Sequence, residues 1–212
     1  MISRSVTANR ILVAAVTLMA ALTLVVSYVV SERAVATGSA ARSADSFAML
    51  RLEASEAEHY DSLAAMKRSA DAIVMGRVVS FGVSRTVRGD HPLDVVVYGS
   101  AVVDVRRQVS GRDLGGSVAV EFLLPYQPAD AAKQAAAFNA ELPRGEALMF
   151  LRHKGGAEAG RYRLVNSAGL WAGTTRAAVD TPLTDEAPAS SLTAGLGPVR
   201  SVDQLADRLA RV

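Results

Sequence analysis

The stretch VVVYGSAVVDVRRQV, Val95 to Val109, alternates in character: positions 97, 101, 103, 105 and 109 are valine or alanine, while 100, 104, 106 and 108 are serine, aspartate, arginine and glutamine. Successive side chains of a strand point to opposite faces, so this period of two predicts a β-strand with one buried and one wet face. Such a strand belongs in an antiparallel sheet. Upstream, AIVMGRVVSFGV from Ala72 is rich in branched residues and reads as the preceding strand, with Gly76 inside it as the mark of a bulge or sharp bend. Downstream, Ser110-Gly111-Arg112-Asp113 and Gly115-Gly116 make a turn. SVAVEFLL then gives a third strand with Val118, Val120, Phe122 and Leu124 on one face, an antiparallel neighbour of the second.

After Pro125 and Pro128 the strand rhythm gives way to ADAAKQAAAFNAEL, Ala129 to Leu142, which its alanines make helix-prone and which Pro143 and Gly145 close. EALMFLR, Glu146 to Arg152, is the fourth strand and KGGAEAG a turn. Arg161 to about Thr175 is the fifth strand, interrupted at Gly169 and Gly173. A short helix is expected from Asp61-Ser62 to about Ser69, and 184–197 reads as a loop. The last helix begins at Ser201, which makes a capping box with Gln204 and carries the apolar stripe Val202, Leu205, Leu209 and Val212.

The N-terminal region sets the compartment. Ile11 to Val30 has twenty residues without a charge, a helix of about 30 Å, which matches the hydrocarbon thickness of a bilayer. It is longer than a signal peptide's apolar core, although Ala34-Val35-Ala36 offers a cleavage site; anchored or cleaved, it exports the remainder of the chain. Arg4 and Arg10 are the only charges before it, which favours a cytoplasmic N-terminus. The expected organisation is a cytoplasmic segment 1–10, a single membrane span 11–30, a stalk 31–60 rich in Ala and Ser, and an extracytoplasmic domain 61–212.

The 21 basic and 21 acidic residues after Val30 cancel, so the formal net charge of +2 argues for neither nucleic acid nor anionic lipid as a partner of the exported part. The chain has no cysteine, hence no disulfide, thiolate metal site or thiol nucleophile. Its basic residues are nearly all arginine, with only three lysines, a bias that resembles proteins of high-GC bacteria.

Five strands, a helix between the third and fourth, and flanking helices predict a mainly β, α+β fold built on a small five-stranded antiparallel barrel. The order Ser62-Leu63, Ala70-Asp71, Val74-x-Gly76-x-Val78, Val103-x-Val105, Gly111, Gly145-Glu146, Phe150-Leu151 and Gly169 resembles the OB-type barrel of netrin-like and metalloproteinase-inhibitor-like domains, over about 61–175. In those inhibitors an N-terminal cysteine chelates the target's zinc. This chain lacks one, so the resemblance does not carry that activity over.

No residue pattern marks a catalytic, cofactor or metal site. His59, His91 and His153 are isolated, and there is no H-E-x-x-H, G-x-S-x-G or S-x-x-K; Gly195-Leu196-Gly197 is loop punctuation that comes after no strand. Arg106-Arg107 and Arg161-x-Arg163 read as solvated strand faces, because the stacking aromatics of an oligonucleotide groove are scarce. Two function classes remain. The preferred one is a membrane-tethered binding or structural module of the bacterial cell envelope, whose partners are the membrane through 11–30 and an envelope protein or polymer. The alternative is an exported hydrolase-like enzyme with Asp104, Glu121 or Glu146 as acid or base in the barrel mouth, although each occupies a wet alternation position. Trp171, the only tryptophan, is either core or, if exposed, a partner-binding anchor with Tyr126 and Phe138.

Overall fold

The alternating stretch is strand β2 (Val95–Gly111) of a computed structural model that describes residues 46–51, 58–91, 94–124, 127–158, 160–173, 179–184 and 189–211. These belong to one compact unit, Ser39–Val212. β2 pairs antiparallel with β1 (Ala72–Arg88) along its whole length and, from Val97 to Asp104, with β3 (Ser117–Leu124). Its inward positions Val97, Ala101 and Val103 are buried, as period two requires.

The first five residues of β1 also pair with β4 (Ala147–His153), from Ala72 opposite Leu151 to Gly76 opposite Ala147. Gly76 thus ends that ladder, and the β1–β2 register shifts between Met75 and Gly76, the bulge expected there. A Cβ at Gly76 would lie 2.5 Å from the Asp104 carbonyl oxygen and 2.8 Å from Val103 Cγ1, so the close approach of β2 needs a glycine. β3 runs parallel to β5 (Arg161–Leu164), which is antiparallel to β4, and β4 also carries β6 (Leu170–Ala172). The sheet order is β1-β2-β3-β5-β4-β6, and because β4 pairs with β1 the hydrogen bonding returns to the first strand. With its helices the protein is mainly β, of α+β type.

β4 is apolar at every position from Ala147 to Leu151 because both of its faces are covered. Met149 and Leu151 enter one apolar cluster with Val74, Val103 and Val120, whereas Leu148 and Phe150 enter a second with Ile73 and Trp171. Helix α1 (Leu63–Ser69) covers the second cluster through Leu63 and Met66, its first turn capped by Ser62 Oγ, which accepts from Ala65 N at 3.2 Å. Helix α2 (Pro128–Ala140) seals the first through Ala131, Ala135 and Phe138, at helical spacing. Between α2 and the C-terminal helix lies α3 (Ala189–Leu192), and then α4 (Val202–Arg211) lays Val202, Leu205 and Leu209 on the second cluster. The Ser201 hydroxyl accepts from Gln204 N at 3.1 Å, while the Gln204 side chain accepts from Arg200 N, one residue before the capping-box position.

The structure departs from the sequence-based expectations in four places. The sheet, expected to be antiparallel throughout, contains the parallel β3–β5 pair, because β5 enters the sheet between β3 and β4. The stalk does not extend to 60: the helical turn at 46–48 puts Phe47, and then Leu50, into the first cluster, and residues 58–60 dock on β4 and β5 through Glu58, so the folded unit begins before Asp61. The fifth strand ends at Leu164, and a 3-10 turn at Ser167–Gly169 separates it from β6; a Cβ at Gly169 would lie 3.0 Å from Val165 Cγ2 and 3.3 Å from the Phe150 carbonyl oxygen, so the break sits tightly against β4. The expected loop at 184–197 contains α3, whose Leu192 is buried on the second cluster. The apolar span 11–30 lies outside the described residues, and among those described no helix is long and apolar enough to cross a membrane.

Candidate functional site

Glu121 is the acidic residue of SVAVEFLL, on the face of β3 opposite the inward Val120 and Phe122, where alternation predicts a wet charge. Its side chain is only 1% exposed. Cations from three other segments enclose it. The β1–β2 register shifts between Val83 and Arg85, and the extra residue turns both Ser84 and Arg85 toward Glu121. Ser84 Oγ and Arg85 Nε donate to Oε1 at 2.9 and 3.1 Å, and Arg85 Nη2 donates to Oε2 at 3.1 Å. Lys154, just past β4, donates to Oε2 at 2.6 Å, and Arg161, at the start of β5, donates to Oε1 at 2.5 Å. The ends of these two strands are tied by the Lys154 N–H bonding the Arg161 carbonyl at 2.9 Å.

Burial alone would push the Glu121 carboxyl up, but the hydrogen bonds from Arg85, Lys154, Arg161 and Ser84 outweigh it and hold its pKa at about 2. With both oxygens filled by donors, the group stays ionised at neutral pH and neither gives nor takes a proton there. Its role is to fix cations. Glu158 completes the cluster, meeting Arg85 Nη1 at 2.6 Å and Lys154 Nζ at 2.8 Å. The ring of Tyr98 lies under both cations, 4.1 Å from the Arg85 guanidinium carbon and 4.5 Å from Lys154 Nζ. Three cations against two carboxylates leave an excess of one positive charge.

The same face carries apolar surface. Arg85, Tyr98 and Leu123 form one cross-strand row, and Ser80, Val102 and Ala119 another, with Leu123 46% and Val102 38% exposed. Beside the cluster lies a second network in which Glu58 bonds the Tyr60 hydroxyl at 2.5 Å and meets Arg152 and Arg163 at 2.6 and 3.2 Å. The Tyr60 hydrogen bond, followed by those of the two arginines, brings the Glu58 pKa to about 2. Arg152 and Arg163 are direct cross-strand partners, a repulsive placement that the carboxylate between them relieves. This network holds the entering chain.

The residues singled out from the sequence do not assemble as one site. Trp171 and Phe138 are fully buried, in the second and first clusters respectively, so they form no exposed patch together; Trp171 packs in the cluster that the helices cover and Phe138 on the face that α2 turns to the first cluster. Tyr126 lies outside the described residues. Asp104 pairs with Arg106 at 2.9 Å and Arg107 with Asp207 of α4 at 2.6 Å. Among the described residues no hydrogen bond or ion pair joins Asp104, Glu121 and Glu146. His153 lies edge-on to Tyr162, ring centroids 5.2 Å apart, and accepts from Gly160 N. Among the described residues no group of three His, Cys, Asp or Glu side chains is placed to hold a metal ion. The Glu121 cluster escaped sequence reasoning because its members come from positions 84, 85, 98, 121, 154, 158 and 161. The only local signal was an acid inside an apolar strand. Compared with known family models, curated proteins and solved structures, the chain matches none.

Proposed function

We propose that this chain is a membrane-tethered binding module of the bacterial cell envelope: an OB-type barrel held outside the membrane by 11–30, contacting an envelope protein or polymer. The barrel reading draws on the return of the β1-β2-β3-β5-β4 pairing to β1, the parallel β3–β5 pair and the position of α2 between β3 and β4. One observation carries the binding role. The outer side of β4 and β6 is packed under α1 and α4, whereas the outer face of β2 and β3 bears a preorganised ionic cluster with exposed Val102 and Leu123 beside it. Rigid charged groups bordered by apolar surface are what a binding face offers, while the acid or base pair of a hydrolase has no counterpart in the ionised, fully bonded Glu121.

The test is retention of the full chain, in detergent micelles, by purified insoluble cell-wall material. The parent is expected to co-sediment and the Val102→Ser, Leu123→Ser double variant, altered only at exposed positions, to stay in solution. Equal behaviour of the two would remove this face from the binding role. A reporter fused after Val212 is expected to work only outside the cytoplasm, and activity confined to the cytoplasm would overturn the tethered topology.

A further inference from the structure

The two carboxylates in the cluster differ in how they are attached. Glu121 projects from the middle of β3 with its side chain buried. Glu158 sits in a 3-10 turn, Gly156–Glu158, of the β4–β5 connection, with its side chain 32% exposed. Gly156 opens that turn and Gly155 and Gly160 flank it, and a Cβ on any of them would meet no atom within 4 Å. Gly156 and Gly160 have φ of +65° and +95°, so these glycines serve backbone freedom and not close packing.

We propose that Glu158 is an internal stand-in for a ligand's carboxylate, and that Arg85 and Lys154 form the socket of a site for a carboxylated sugar. This rests on the reading of the face as a binding surface and names its ligand chemistry. A guanidinium edge and an ammonium converge on one carboxylate, a geometry that suits a bridging anion. Exchanging Glu158 for a ligand carboxylate leaves the charge balance of the cluster unchanged. Arg85 and Lys154 stay in place during the exchange, because Glu121 holds each of them separately. Partly exposed ion pairs hold weakly in water, so the turn is replaceable where the buried pair is not. Beside the socket, the exposed Leu123, cross-strand neighbour of the Tyr98 ring that lies under the two cations, offers an apolar seat for a sugar ring.

The test titrates the full chain, in detergent micelles, with N-acetylmuramate by calorimetry. N-acetylglucosamine, the same sugar without the lactyl carboxylate, is the control. Removing the internal competitor in Glu158→Gln is expected to tighten N-acetylmuramate binding roughly three- to tenfold, the range that displacing partly exposed ion pairs implies, with no gain for the neutral sugar. Adding Lys154→Gln to that variant is expected to abolish the gain. Glu158→Gln keeps the Glu121 pairs and so keeps the fold testable. Unchanged or weaker binding in Glu158→Gln, or an equal gain for N-acetylglucosamine, would overturn the proposal and leave Glu158 as a staple of its turn. Co-sedimentation with cell-wall material is measured on variants that leave Glu158 intact, so failure here and failure of the binding-module reading are separate results.

Discussion

At the scale of single residues, Glu121 governs the outer face of β2 and β3, where Val102 and Leu123 are exposed among the described residues. A carboxylate whose folded pKa is lowered from 4.5 to about 2 contributes stability that is fully present above about pH 4.5 and is lost as pH falls toward 2. The contribution at neutral pH is on the order of 3 kcal/mol. Glu58 shifts in the same direction, so acid weakens both networks over one window. Glu121→Gln is expected to cost about 3–5 kcal/mol at pH 7, because it leaves three cations short of their shared partner. It is also expected to flatten the decline of stability between pH 4.5 and 2. Denaturant unfolding of parent and variant across that range measures both, and parallel pH profiles would refute the linkage. The anomaly is half visible in the chain itself: alternation puts Glu121 on the outer face correctly. Its burial is not, because the side chains that bury it are up to 40 residues away in sequence.

Among the elements, β1 shows how a glycine lets one strand take part in two pairings. Its first five residues are shared by β2 and β4, and beyond Gly76 it continues with β2 alone. Gly76→Ala would force a methyl group against the Asp104 carbonyl and is expected to cost about 1–3 kcal/mol, as overpacking does. Gly82→Ala, in the same strand but with no atom within 4 Å of the added carbon, is expected to be neutral or stabilising by a few tenths of a kcal/mol to about 1 kcal/mol. Thermal or denaturant unfolding of the two variants separates them, and similar losses at both sites would contradict this account of the bend. Elements with a strong local pattern were legible: β2 and β3 by alternation, α4 by its cap and stripe, Gly76 by its place in a branched run. The split of the fifth strand was not. Gly169 pointed to a break, but only packing against Phe150 determines that the break is a 3-10 turn followed by a new strand.

For the whole molecule, the folded unit reaches back into what composition describes as a stalk. Phe47 and Leu50 are 1% and 4% exposed in the first cluster, and Glu58 anchors the entry to β4. A chain beginning at Asp61 is therefore expected to be less stable than one beginning at Ser39 by roughly 3–6 kcal/mol, since each lost side chain accounts for about 1.5–3 kcal/mol. Denaturant unfolding of the two chains decides this, and equal midpoints would return 31–60 to the role of a passive stalk. By itself the sequence determined the mainly β class, the order of the strands along the chain, the helix between β3 and β4 and the capped C-terminal helix, because hydrophobic period and turn chemistry act over a few residues. Only the tertiary structure decided the parallel β3–β5 pair, the return of β4 to β1, the separation of Leu148 from Met149 into different cores and the convergence of Arg85, Lys154 and Arg161 on Glu121. Those depend on which strands become neighbours in space, and contacts between residues tens of positions apart leave no periodic trace in the chain.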